Sequence, residues 1–294
     1  MDLYAKPNQD PSRPAMITCA LSGVVANRAQ CPAIPYTPEE YAAEAKRAYE
    51  AGAAAVHIHA RTPDGSPSFE IEDYRNIRDA IVAACPVVIN FSTGAVDVSV
   101  EKRLAYLDAV KPAVAALNMG SMNYAKYHPK RKDFVFDFVF QNPFSEIRAL
   151  LGGMNAAKIK PECECFDTGH VASLHPLVDM GLLAAPLQVS LIMGVIGGMP
   201  GTVPTLVHAV ELLPPGSDWE LISLSLDQWR MLAAAAAMGG NVRVGLEDNF
   251  YVAPGQMAKS NGDLVEKAAR MLRDIGRPIA TVEQCRDRLG LVHP

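Results

Sequence analysis

The chain has 294 residues, 49% of them hydrophobic and 20% charged, with a formal net charge of −5. That balance fits a globular protein in water and argues against a nucleic-acid-binding surface, which would call for a basic excess, and no apolar run approaches the roughly 20 residues that span a bilayer. The opening stretch, 1–14, is polar and carries prolines, so no secretory leader is expected, and the six scattered cysteines (Cys19, Cys31, Cys85, Cys163, Cys165 and Cys285) read as buried thiols of a reducing cytoplasm.

A short apolar run at 16–22 predicts the first strand. The helix after it opens Thr37-Pro38-Glu39-Glu40, a hydroxyl N-cap with proline and acids in the first turn, and ends at Ala51-Gly52, where glycine can take the left-handed position. A strand at 53–60 precedes a helix at 70–84, and a strand at 86–92 precedes a helix at 98–109. The fourth strand, 114–120, is followed by an insertion at 124–142, extended around 134–140, and then by a helix at 144–154. Further strands at 158–166, 187–194, 220–226 and 241–248 alternate with helices at 170–180, 203–212, 227–238 and 262–275. Eight strand–helix pairs without a linker predict one α/β catalytic domain over 1–294. It would be a closed parallel (β/α)8 or TIM barrel with a small insertion after the fourth strand. An open doubly wound sheet is the alternative arrangement of the same units.

Alternation within the strands carries more than their number. Val56 and Ile58 oppose His57 and His59; Val87, Ile89 and Phe91 oppose Asn90 and Ser92. Lys160, Glu162 and Glu164 share one face, as do Gln188 and Ser190, Ser223 and Ser225, and Arg243, Gly245 and Glu247. The outer face of a barrel strand packs on helices and must be apolar, so the polar set is expected to point inward. Buried polar groups are costly unless partnered, so a lumen filled with them points to a site.

His57 and His59 would lie on one face of their strand, roughly 6.5–7 Å apart along it, as half of a divalent-cation site. Two satisfied core histidines are the plain alternative. Glu247, inward at the end of the last strand, is the best third ligand; an ion pair with Arg243 is its other role, and both can hold together. Asp248 should lie at the barrel mouth, where it is either a general base beside Arg243 or a solvated loop acid. Cys163, Cys165 and His170 form a rival cluster, but the cysteines fall on the outward face. The glycine-rich loop 194–201 could cradle a phosphate at a helix start, or serve only as a flexible connection.

Several motifs together resemble the β-keto acid cleavage enzyme family, whose namesake is 3-keto-5-aminohexanoate cleavage enzyme. They are Ile17-Thr-Cys-Ala, Ala55-Val-His-Ile-His-Ala-Arg61, Val88-Ile-Asn-Phe-Ser-Thr-Gly94, Leu117-Asn-Met-Gly-Ser-Met-Asn123, Glu164-Cys-Phe-Asp-Thr-Gly-His170, Gly194-Val-Ile-Gly-Gly198 and Val242-Arg-Val-Gly-Leu-Glu-Asp-Asn249. The resemblance implies a barrel holding zinc (Zn2+) on His57, His59 and Glu247, with Arg243 and Asp248 as the catalytic arginine and acid. It implies that Ser92 and Thr93 help to hold substrate. The reaction it implies converts a β-keto acid and acetyl-CoA, the co-substrate, to acetoacetate and a new acyl-CoA, with no redox cofactor. One departure concerns the loop Ser22-Gly-Val-Val-Ala-Asn-Arg28. Where the namesake type has an acid for the substrate's amino group, Val25 stands near the expected position. An amino-bearing substrate is therefore not expected. Arg28 could pair with the distal carboxylate of a dicarboxylic β-keto acid, with a neutral tail as the competing possibility.

Two other classes use similar features. A metal-dependent hydrolase of the amidohydrolase kind also carries His-x-His in a barrel, but here no histidine ends the sixth strand. A non-catalytic binding barrel would explain the lumen but not the Glu-Asp pair. The expected partners are small molecules, with neither nucleic acid nor membrane. A cytoplasmic homo-oligomer, dimer or tetramer, is expected, the segment 134–140 serving as an intersubunit surface or as a lid.

Overall fold

The computed structural model describes residues 8–293 and all their side chains except that of Leu226. The start of the polar N-terminal stretch and the side chain of Leu226, which ends the strand expected at 220–226, therefore lie outside the described residues. Eight parallel strands close into a barrel. In chain order they are β1 (Ile17–Ala20), β2 (Ala55–Ile58), β3 (Val88–Ser92), β4 (Val114–Asn118), then β7 (Lys160–Cys165), β8 (Gln188–Met193), β9 (Asp218–Ser223) and β10 (Asn241–Val244), with β10 pairing back onto β1. The expected TIM barrel is the observed fold, and the open sheet is excluded by that last pairing.

Helices α1 (Pro38–Ala51), α2 (Ile71–Ala84), α3 (Val100–Val110) and α4 (Phe144–Ala157) cover the first half of the ring. Helices α7 (Val203–Glu211), α8 (Gln228–Ala237) and α9 (Asn261–Asp274) cover the second. The outward residues of the strands, among them Val56, Ile58, Ile89, Phe91, Val189, Leu191, Val242 and Val244, are buried in one core with the inner faces of these helices. The start of α1 is as read from the sequence: Thr37 accepts from Glu40 N–H, Glu40 reaches back, and Gly52 closes the helix at φ 118°. Such a cap contributes about 1 kcal/mol.

Four local differences from the sequence reading have physical causes. The expected helix at 170–180 is two short ones, α5 (Thr168–Ala172) and α6 (Leu174–Asp179), because Pro176 cannot donate to the carbonyl four residues back. The insertion is a full antiparallel hairpin, β5 (Met122–His128) with β6 (Asp133–Phe140), since Tyr124 stacks across it on Phe138. Strand β10 ends at Val244, four residues early. At Gly245 φ is 139° and a Cβ would stand 2.1 Å from Ala20 O, so the chain turns there instead of running on to 248.

The fourth difference reverses a face. Strand β9 starts at Asp218, so Asp218, Glu220 and Ile222 point inward while Trp219 and Leu221 join the outer core. Ser223 shares the parity of Trp219 and Leu221, and Ser225 has left the strand for a 3-10 turn at Ser225–Asp227. The two serines expected to line the lumen therefore do not share a lumen face.

The amino-end floor of the barrel is closed by an unforeseen helix, α10 (Val282–Leu289), entered by a Thr281/Gln284 capping box. Its Cys285 and Leu289 pack on inward Met16, Ala55, Val88 and Val114. Its Arg288 pairs with buried Asp218, which also accepts from Asn241. The floor is thus sealed, and the polar lumen opens toward the carboxyl ends of the strands.

Candidate active site and metal centre

Above the floor, alternation stacks polar side chains in the lumen. Thr18 donates to Glu220 at 2.8 Å, Ser190 lies 3.0 Å from Glu220 and also bonds Glu162, and Asn90 donates to the other oxygen of Glu162. Higher still, Arg243 donates to both oxygens of Asp248 at 3.0 and 3.1 Å, to Glu247 at 2.6 Å, and to Glu164 at 3.5 Å.

His57 ends up inside β2, and His59 one residue past its end, with ring centroids 5.3 Å apart. Tyr41 and Ser22 both donate to the His59 carbonyl, at 2.6 and 3.0 Å, which pins the chain as it leaves the strand. Glu247 comes from the turn after β10, its N–H donating to Ala20 O at 3.2 Å. Gly23, at φ 56°, leaves room for it: a Cβ there would lie 2.7 Å from the Glu247 side chain. The result is that His57 Nε2 stands 3.8 Å from Glu247 Oε2 and His59 Nε2 stands 3.7 Å from Glu247 Oε1.

Those separations are too long for hydrogen bonds and suit three donors around one cation, since bonds of about 2.0–2.1 Å at tetrahedral or wider angles place neighbouring donors roughly 3.3–3.6 Å apart. Glu247 Oε2 is buried with no hydrogen-bond partner, as a ligand atom would be. The chemistry of the imidazoles agrees. Burial, with Arg243 and His59 nearby, holds His57 well below the ordinary histidine range, and burial with Arg243 and Arg61 lowers His59 to about 3. Both rings are therefore neutral and carry a lone pair for a metal. A second set, His57 with Glu162 and Glu164, also converges among the described residues. Both oxygens of Glu162 are already hydrogen-bonded, which makes that set the poorer one.

Asp248 is buried rather than at a solvated mouth, because its carboxylate is drawn onto Arg243. Burial raises it to about 6 against the opposing pull of Arg243, a value suited to taking up a proton near neutrality. Burial works against the Arg243 guanidinium, but Asp248, Glu247 and Glu164 together raise it well above its usual value. Glu164 is raised to about 8 by burial and by Glu162.

Ser92 faces the lumen, accepting from Gly94 N–H at 3.1 Å, while the Thr93 hydroxyl is committed to Ala116 O. Arg28 is not brought to these groups. It pairs with Glu40, donates to Ile34 O at 3.0 Å, and lies 4.1 Å over the Tyr36 ring. Cys163 and Cys165 are buried on the outward side, and His170 is spent between Phe166 N–H and Ser121 O. Val25 is 69% exposed. Sequence reasoning missed Glu220 as a lumen group, since it depends on where β9 begins. It also missed Tyr41, Gly23 and Gly245, whose roles lie in contacts across the fold.

The barrel thus gathers two neutral imidazoles, a carboxylate and an Arg–Asp pair at the carboxyl ends of its strands, where enzymes of this architecture place their chemistry. The profile of the beta-keto acid cleavage enzyme family matches residues 14–291, and the chain belongs to that family and is an enzyme of its kind. It is 37% identical over 278 residues to the 3-keto-5-aminohexanoate cleavage enzyme of Acetoanaerobium sticklandii, covering 94% of this chain and 98% of that one. To the 3,5-dioxohexanoate:acetyl-CoA acetone transferase of Paraburkholderia graminis it is 33% identical, covering 95% and 96%. Among solved structures, the complex of ObcA with oxaloacetate superposes with a TM-score of 0.70 at 23% identity. The match covers 88% of this chain and 68% of that one, and it establishes a shared fold.

Proposed function

We propose that this enzyme transfers the acyl group of a β-keto acid to CoA, taking acetyl-CoA as co-substrate and releasing acetoacetate, with zinc held by His57, His59 and Glu247. The observation that carries this reading is the convergence of those three donors beside the Arg243–Asp248 pair. The relatives' names, which include a 3,5-dioxohexanoate:acetyl-CoA acetone transferase, support the same class of reaction.

Zinc bound there would act as a Lewis acid toward the keto oxygen and carboxylate of the substrate. Asp248, held by two hydrogen bonds from Arg243, takes a proton from the carbon between the carbonyls. That carbon bonds to the acetyl carbonyl and the CoA thiolate leaves. The thiolate then adds to the original keto carbon, and the bond between that carbon and its neighbour breaks. Asp248 returns its proton to the carbanion, giving acetoacetate and the new acyl-CoA. We assign to Ser92, whose hydroxyl proton has no acceptor among the described contacts, the role of donor to a developing oxyanion, and to Thr93, bonded to Ala116 O, support of the β3 loop.

The engagement of Arg28 with Glu40, Ile34 and Tyr36 favours a neutral tail over a dicarboxylic substrate. The test is incubation with acetyl-CoA and, separately, 3-oxohexanoate, 3-oxoadipate and 3-keto-5-aminohexanoate, following acetoacetate. Turnover highest with the neutral acid is expected. Formation of acetoacetate from none of them, with zinc present, would overturn the reading, and preference for 3-oxoadipate would overturn the choice of tail.

A further inference from the structure

We propose that Asn90 and Glu162 are positioning residues that set the tautomer of His57 and strengthen it as a metal ligand, through a chain of hydrogen bonds crossing the lumen beneath the site. The inference rests on the reading of His57 as a ligand and adds to it the device that prepares the ring.

His57 and Asn90 are register partners on β2 and β3. His57 Nδ1 and Asn90 Oδ1 are both buried, and neither has a hydrogen-bond partner. The amide has one orientation that serves both neighbours. Its NH2 faces a carboxylate oxygen of Glu162, to which it donates, so its oxygen is left for His57. An oxygen beside Nδ1 requires the proton there, and the lone pair then sits on Nε2, the nitrogen 3.8 Å from Glu247 Oε2.

The far side of the chain points the same way. Ser190 stands between Glu162 and Glu220 and has one proton to give. If it donates to Glu162, the neighbouring oxygen of Glu220 must carry a proton and donate to Ser190. Thr18 then satisfies the other oxygen of Glu220. Burial and the nearby Glu162 both favour the protonated form of Glu220. Every donor along the line, from His57 through Asn90 and from Glu220 through Ser190, is thereby directed at the Glu162 carboxylate. A carboxylate that draws on the far N–H of a ligating imidazole makes the ring a better donor. Here the pull passes through one amide.

The test reads metal affinity by chelator competition in the folded protein, and the tautomer by nitrogen-15 NMR of the histidine rings. For the wild type, His57 should carry its proton on Nδ1 before zinc is added, and a proton on Nε2 would overturn the proposal. Asn90→Ala and Glu162→Gln should each hold zinc about 10–100-fold more weakly, and affinity within twofold of wild type in both would overturn it. The double variant Asn90→Asp with Glu162→Gln exchanges carboxylate and amide yet keeps an acceptor at Nδ1 and a donor toward it. It should recover most of the affinity, which a merely structural loss of Asn90 would not allow, and failure to recover in a folded double variant counts against the chain. Zinc binding unchanged in His57→Ala would instead bring down the ligand reading itself.

Discussion

Arg243→Met removes the guanidinium around which three carboxylates are set while keeping much of the side-chain volume. The three do not lose equally. Asp248, bonded at 3.0 and 3.1 Å with 1% of its side chain exposed, loses its counter-ion outright. Glu247, at 2.6 Å but 18% exposed, regains some hydration, and Glu164, at 3.5 Å and raised to about 8, is largely neutral at pH 7. The cost is therefore dominated by one orphaned buried carboxylate, about 3–5 kcal/mol. At roughly 2–4 °C per kcal/mol for a chain of this size, the melting temperature should fall by about 6–20 °C.

The sign of the pH dependence is also determined. Asp248 titrates near 6 in the folded protein, above its ordinary value, and would rise further without Arg243. An acid so raised favours the folded state below its unfolded-state pKa and loses that contribution as pH climbs through the folded one. The deficit of the variant should therefore be larger at pH 8 than at pH 5. Thermal unfolding by circular dichroism at both values, with a chelator present so that no cation replaces the lost charge, measures this. A melting temperature at pH 8 within about 2 °C of wild type would refute the account of Arg243, given that the expected loss is several-fold greater. So would a deficit that does not shrink on acidification.

Glu247→Gln should lose zinc and turnover together, read by metal analysis and acetoacetate formation; full zinc content would contradict its assignment. Asp248→Ala should retain zinc yet lose turnover by about 10²–10⁴-fold, the range expected for removing a general base, and a loss below tenfold would return the role of base to another group. In the wild type, kcat/KM should fall about tenfold per pH unit below the pKa of Asp248. That acid limb should lie at or below about 6, because a bound cation can only lower the value, and a limb above 7 would exclude Asp248. All six cysteines are buried, with Cys163 and Cys285 pushed up to about 12 by burial. Ellman's reagent should accordingly titrate no thiol in the folded protein within minutes and six after denaturation; two fast thiols would show the packing to be wrong.

The barrel was legible because its strands alternate apolar and polar residues with a period of two. That period alone assigns the polar set to the lumen, and His57, Asn90, Ser92, Glu162, Glu164, Ser190 and Arg243 all lie on the inward faces of their strands. Strand β9 shows the limit of that inference. Asp-Trp-Glu-Leu-Ile-Ser carries polar residues on both parities, so the serines and Glu220 compete for the inward face. The arbiter is Trp219, whose burial in the outer core sends Glu220 inward. Helix α10 was announced only by Thr281-Val-Glu-Gln284, a capping signal too short to distinguish from a surface turn, and its role as a floor exists only in contact with Met16 and Val88.

Arg28 shows the same limit. Charge and proximity to the first strand suggested a substrate contact, but Glu40, which also caps α1, claims it through the fold. Residues whose partner lies one strand or one turn away could be read from spacing. Those whose partner is set by closure of the ring could not. The metal-site candidate straddles that divide. His57 and His59 are a local pattern, but Glu247 reaches them only because β10 pairs with β1, Gly245 lets the chain turn against Ala20, and Gly23 leaves the space into which its carboxylate swings. A side chain added at either glycine would leave the histidine pair intact and remove its third donor, so the candidate centre depends on the seam of the barrel as much as on the three side chains themselves.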